Sequence, residues 1–230
     1  MKTPSIPLKG EERDKVLKIN NRENLLIIEY MNFVEKSNQI FAQAVRDYHK
    51  TDHVDAPINN PFEAGTIEHD LYLKNWIDTV QWHLEDIIRD PNINPVEALA
   101  LKRRIDKSNQ DRTDLVERID SYFWELFHDV QPQANARINT ESPAWAIDRL
   151  SILHVKLWHM QEQVDRTDVS AEQHEKCVAK MAVLQEQLGD MTTSIGQLLE
   201  DYQSGARIMK VYRQMKMYND PTLNPVLYKK

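Results

Sequence analysis

The sequence predicts an all-α protein, an antiparallel bundle of about five long helices, and three observations carry that prediction. Apolar residues recur at helical spacing in long stretches. Cap and proline signals punctuate those stretches. Only five glycines occur in 230 residues, which leaves few positions for the positive-φ turns that hairpins need. With 28% charged and 41% hydrophobic residues the chain suits amphipathic helices and is too apolar for disorder.

From about Glu11 to His49 the stripe is Ile27, Met31, Val34, Phe41 and Val45, with Asn38 breaking it. His53 to Gly65 is a connection rich in Pro, Asn and Asp, with a turn set by Asn60 and Pro61. Thr66 caps a second helix that runs to Asp90, where Pro91 stops it; its stripe is Trp76, Val80, Leu84 and Ile87, with His83 at the edge. Asn94-Pro95-Val96-Glu97 opens a third helix extending to His128.

After a polar linker, Ser142-Pro143 starts a fourth helix whose stripe is Ala146, Leu150, Leu153, Leu157, Met160 and Val164, bordered by Arg149, His154 and Trp158. Ser170 and Gln173 form a capping box ahead of a heptad stripe from Cys177 to Tyr212, with a kink at Ser204-Gly205 and an end near Tyr218. The expected organisation is a single helical-bundle domain over 1–230, with an arm at 1–10 and a proline-containing tail at 219–230 folded back on the bundle.

The net charge of −7, with basic residues interspersed among acidic ones, argues against nucleic acid as a partner. One cysteine, Cys177, leaves no internal disulfide or cysteine zinc cluster. The N-terminus lacks the apolar region of a signal peptide, and the longest apolar run, Leu25 to Ile28, is far too short to cross a bilayer. These features predict a soluble, cytoplasmic protein without a transmembrane segment. Self-association to a homo-oligomer through the heptad of the last helix is a further expectation.

The third helix places Asn109 and Arg112 where its apolar face, marked by Ile105, Val116 and Ile119, should continue. A guanidinium there must be paired, so a carboxylate is expected against Arg112. The candidate polar layer comprises His83, Glu85, Asp86 and Arg89 on the second helix, Asp106, Asn109 and Arg112 on the third, and Arg149 and His154 on the fourth. One reading is a closed interhelical salt-bridge network. The other is an anion pocket, in which an arginine fork recognises phosphate.

No motif calls for a cofactor or a metal, and no phosphate loop, nucleophile elbow or zinc-protease sequence occurs. In an enzymatic alternative, Glu85 and Asp86 facing Asp106, Asp114 and Glu117 would hold Mg²⁺, as in helical nucleotide pyrophosphohydrolases. The competing reading is that the acids at 106, 114, 117 and 120 form a solvated face.

The segments WHLEDIIRD, LKRRIDKSNQDRTDLVERID, INTESPAWAIDRLSILHVKLWHMQEQ and YRQMKMYNDPTLNP resemble an uncharacterised bacterial family, domain of unknown function four-two-five-four, over about Leu25 to Tyr228. Members of that family are often encoded among glycosyltransferase and lipopolysaccharide or capsule genes. The resemblance implies a non-catalytic or accessory role in envelope polysaccharide glycosylation, with a glycosyltransferase or a phosphorylated sugar as partner. It brings no catalytic residue. The alternatives are an enzyme acting on a nucleotide or phosphorylated sugar within the bundle, and a self-associating structural protein.

Overall fold

The computed structural model describes residues 32–217 and 220–229. The first helix, α1, is helical over 32–48 in the described part. It is followed by α2 (Ile67–Ile87), α3 (Pro95–Phe127), α4 (Pro143–Val164), α5 (Ala171–Gln203) and a single turn, α6 (Pro225–Tyr228). Among the described residues there is no β-strand, and one isolated parallel bridge joins Arg137 to Arg207. No helix of the described residues is long and apolar enough to cross a membrane. The fold is an all-α bundle. Ile27 and Met31, expected on the α1 stripe, lie outside the described residues.

The helices start where the side chains satisfy their free N–H groups. Thr66 accepts from the His69 amide, Asn94 from Val96 and Ser170 from Gln173. The capping box at Ser170 is half formed: Ser170 Oγ accepts from the Gln173 backbone N–H, while the Gln173 side-chain amide donates to Cys177 Sγ. Ser142 holds the N-cap position of α4, but its hydroxyl makes no cap bond; Pro143 supplies the helical φ.

One core joins Phe41 and Tyr48 of α1, Leu71 and Tyr72 of α2, Ile119, Phe123 and Phe127 of α3, Ile147 and Leu150 of α4, and Leu199 and Tyr202 of α5. Each such side chain contributes roughly 1.5–3 kcal/mol on burial. The α5 stripe packs on α4, with Cys177, Met181, Ile195, Leu199 and Tyr202 buried.

Two helices face inward differently from their apolar stripes. In α2, Ile87 is exposed and Val80 only half-buried, while Leu71, Lys74, Asn75, Asp78 and Thr79, at helical spacing, all turn inward. In α4, Leu157, Met160 and Val164 are half-buried, and Asp148, Ser151 and His154 share the buried face with Ile147, Leu150 and Leu153.

The heptad reading of the last helix fails after Gln203. Gly205 adopts a φ of +74°, the left-handed geometry of a helix C-terminus, and ends α5 where a kink is expected. Residues 206–217 then leave the helix and run back along α3: Arg213 donates to the Glu117 carbonyl and to Ser121 Oγ, and Lys216 to the Asn109 carbonyl and Thr113 Oγ1. The fold-back begins about a dozen residues before the tail in which it is expected.

The turn is also tied to the α3–α4 linker. The Gln133 amide donates to the Gly205 carbonyl at 2.9 Å, and the Arg137 amide to the Ala206 carbonyl at 2.9 Å. A Cβ on residue 205 would stand 2.4 Å from the Gln131 carbonyl oxygen. Gly205→Ala therefore combines a strained φ with a backbone clash, and thermal or urea unfolding should show a loss of roughly 2–3 kcal/mol. A change within 0.5 kcal/mol would mean that the linker does not depend on this turn.

Candidate functional site

The polar residues that α2, α3 and α4 turn inward meet in one layer. Lys74, wholly buried, donates to Asp78 one turn along α2 and lies 2.9 Å from Asp148 Oδ1 on α4. Arg112 reaches in from α3: Nε is 3.0 Å from Asp148 Oδ1 and Nη2 is 3.3 Å from Asp148 Oδ2, a two-pronged pairing, with Asp78 Oδ1 3.9 Å away. Ser151 Oγ donates to Asp78 Oδ2 at 2.6 Å and accepts from Asn75 Nδ2 at 3.2 Å. Burial pushes the Asp78 carboxyl above its ordinary range; Lys74 opposes this and the neighbouring Asp148 adds to it. A second lysine, Lys216, comes from the fold-back and donates to the Asn109 carbonyl and Thr113 Oγ1 of α3; burial and the nearby Arg112 hold it below the usual lysine value.

Arg112 is at the junction of two clefts. The larger, about 620 Å³, is walled by Asp120, Glu141, Trp145, Asp148, Tyr202 and Lys210. The smaller, about 280 Å³, lies on the α2 side between Asp78, Trp82, Glu85, Asp86 and Arg89. Arg112 uses Nε and Nη2 on Asp148, so Nη1 is not engaged by that pair. In this layer Lys74 and Arg112 meet the carboxylates of Asp78 and Asp148, and around the large cleft Arg112, Arg149 and Lys210 stand against Asp120, Glu141 and Asp148, so cations and carboxylates balance.

Two polar atoms at the large cleft are buried without a hydrogen-bond partner, Asp120 Oδ1 and Ser142 Oγ. Burial raises the Asp120 carboxyl, against the pull of nearby Ser142 and the Ala144 amide.

Residues 68–211, which contain Lys74, Asp78, Arg112 and Asp148 and most of the lining of both clefts, match the family described as "Protein of unknown function (DUF4254)". The chain belongs to this family. Comparison with curated proteins gives no match, nor does comparison with solved structures. The match is shorter at both ends than the resemblance seen in the sequence, and YRQMKMYNDPTLNP falls beyond it.

In this DUF4254 chain the nine sequence-predicted site residues fall in several places. Arg112 is central, and its carboxylate partner is Asp148 of α4. Asn109 Oδ1 accepts from Gln81 Nε2 at 2.9 Å, linking α2 to α3 beside the layer. Glu85, Asp86 and Arg89 line the small cleft, with Arg89 paired to Glu85 at 3.0 Å. Asp106 is exposed and paired with Lys102. Arg149 sits at the edge of the large cleft, paired with Glu141.

His154 belongs to a separate chain of hydrogen bonds, to Asn38 Oδ1 at 2.9 Å and from Asn38 Nδ2 to Thr192 Oγ1 at 2.9 Å, which ties α4 to α1 and α5. His83 faces His49 and His159. The acids considered for Mg²⁺ hold partners of their own: Asp114 accepts from Gln110, and Glu117 binds Arg213.

Lys74, Asn75, Asp78, Asp148 and Asp120 are missing from the sequence-predicted set. A signal existed for α2: Leu71 followed by polar residues at +3, +4, +7 and +8 is a helix face as regular as any apolar stripe. Asp120, expected on a solvated face with Asp106, Asp114 and Glu117, is instead buried, because it turns toward the start of α4 at Ser142 and Ala144.

Proposed function

We propose that the protein binds a phosphorylated sugar in the large cleft and acts as a cytoplasmic accessory to envelope polysaccharide glycosylation. The observation that carries this reading is Arg112, fixed by Asp148 where the two clefts join. A guanidinium already held by a buried carboxylate loses little freedom on meeting a phosphate. Lys210 and Arg149 add cations at the rim, while Trp145, Tyr202 and Tyr212 offer ring faces and Asn139 an amide of the kind that a sugar engages. The polysaccharide setting rests on the family resemblance, which also supports a glycosyltransferase as the protein partner.

A thermal-shift panel of sugar phosphates, sugar nucleotides, their neutral sugars and inorganic phosphate tests it. A true ligand at 100 times its Kd stabilises by about 2.7 kcal/mol, roughly 5–10 °C for a chain of this size. Neutral sugars should give no comparable shift. The reading fails if no phosphorylated compound raises Tm, or if the neutral sugars do so equally.

Asp120 favours a second reading, an enzyme acting on the same ligand. A buried carboxyl with a raised pKa and a bare oxygen in the cleft is suited to donate a proton to a leaving group. Turnover of a bound compound that disappears in Asp120→Asn while binding persists would establish it.

A further inference from the structure

A second cluster lies apart from the Arg112 layer, at the other end of the α2–α4 seam. His49 follows the end of α1, His83 is in the last third of α2, and His159 is near the end of α4. One ring nitrogen from each lies within 4.8 Å of the other two. We propose that His49, His83 and His159 form a binding site for a divalent transition-metal ion of the zinc class.

The hydrogen bonds of the rings point to ligation. His49 Nδ1 donates to the Val45 carbonyl at 2.7 Å, and His159 Nδ1 to Glu162 Oε2 at 2.8 Å, while the other Glu162 oxygen accepts from Trp158 Nε1 at 3.0 Å. With Nδ1 protonated, Nε2 of both rings carries its lone pair, and such outer partners are what fix the tautomer of metal-bound histidines. His159 Nε2 is buried and has no hydrogen-bond partner, an acceptor left bare. His49 Nε2 and His83 Nε2 stand 3.3 Å apart.

The rings are also held rigidly. Trp158 stacks on His49 at 4.5 Å, Trp82 on His159 at 4.8 Å, and Tyr48 on His83 at 5.1 Å. This aromatic shell leaves one side open to a cleft of about 590 Å³, lined by Asp52, His83, His159 and Glu162. Asp52 Oδ1, 3.6 Å from His83 Nε2, and water are the available further ligands. Three imidazoles with an open position suit Zn²⁺ and its neighbours and do not suit Mg²⁺, which takes oxygen ligands.

Chelator-treated full-length protein titrated with Zn²⁺ in a calorimeter, and with Co²⁺ followed by absorption, tests the site. One Zn²⁺ per chain should bind with a Kd of about 1 µM or tighter. His83→Ala and His159→Ala should each weaken it by more than about 100-fold, and Glu162→Gln by roughly 10- to 100-fold. His53→Ala and His174→Ala should leave it unchanged. Independently of any variant, Co²⁺-loaded wild-type protein should show hyperfine-shifted imidazole N–H resonances in its proton spectrum. Binding weaker than about 100 µM, affinity that survives removal of His83 and His159, or the absence of imidazole resonances would overturn the proposal and leave the cluster as aromatic packing.

Discussion

Lys74→Met should destabilise the protein by about 3–5 kcal/mol, the expected loss when one member of a buried ion network is removed. Lys74 is fully buried and bonds both Asp78 and Asp148. Without it, two adjacent buried carboxylates share one cation, the partly exposed Arg112, besides the Ser151 hydroxyl on Asp78. Urea unfolding followed by circular dichroism gives the loss directly.

The deficit has a predictable pH dependence. The folded Asp78 carboxyl is already raised, chiefly by burial, and Lys74 opposes the rise. A carboxyl with a raised folded pKa contributes stability that is present below its unfolded value and lost as pH rises through the folded one. The variant should therefore be weakest near neutrality and regain part of its stability as the pH falls toward the ordinary carboxyl range. A loss below about 1 kcal/mol at pH 7 would show that Lys74 does not hold the layer together.

The second large effect is acid sensitivity set by His154. This ring is buried beside Phe41, and burial depresses its pKa from 6.5 to about 4. The folded protein thus refuses a proton that the unfolded chain accepts. The contribution, roughly 3 kcal/mol, is complete above pH 6.5 and is lost as the pH falls toward 4. His49 and His83 are shifted in the same direction, so the difference between wild-type protein and His154→Gln isolates the His154 share. Glutamine keeps an amide for Asn38 and does not titrate. Unfolding free energies at pH 7.5, 6 and 4.5 should converge for the two proteins as the pH falls; parallel curves would mean that His154 is protonated inside the fold.

Much of the fold was legible because helix starts are local chemistry. Thr66, Asn94-Pro95, Ser142-Pro143 and Ser170 mark the starts of α2, α3, α4 and α5 within a residue. The end of α5 was harder to read. A glycine in a periodic pattern is compatible with a kink, and the left-handed φ of Gly205 is demanded by the linker packed against it, which local sequence does not reveal.

The site was half legible for a related reason. Arg112 and Asn109 stood out as polar residues on an apolar face, but Lys74, Asp78 and Asp148 lie on faces where apolar periodicity marks another side as the core. Periodicity assumes that what is buried is apolar, and an ion network breaks that assumption. The three histidines, separated by 34 residues or more, meet only through tertiary packing, which no spacing rule captures.

The central claim, that Arg112 serves a ligand and not only the network, is tested most directly by one paired measurement on Arg112→Met: affinity for a phosphorylated sugar that shifts the wild-type Tm, and unfolding free energy. Lys74 still neutralises Asp148 in this variant, so stability should fall by no more than about 2 kcal/mol, while loss of a charged hydrogen bond to phosphate should weaken binding by roughly 10- to 100-fold. Unchanged affinity with a stability loss of about 3 kcal/mol or more would identify Arg112 as part of a closed core network.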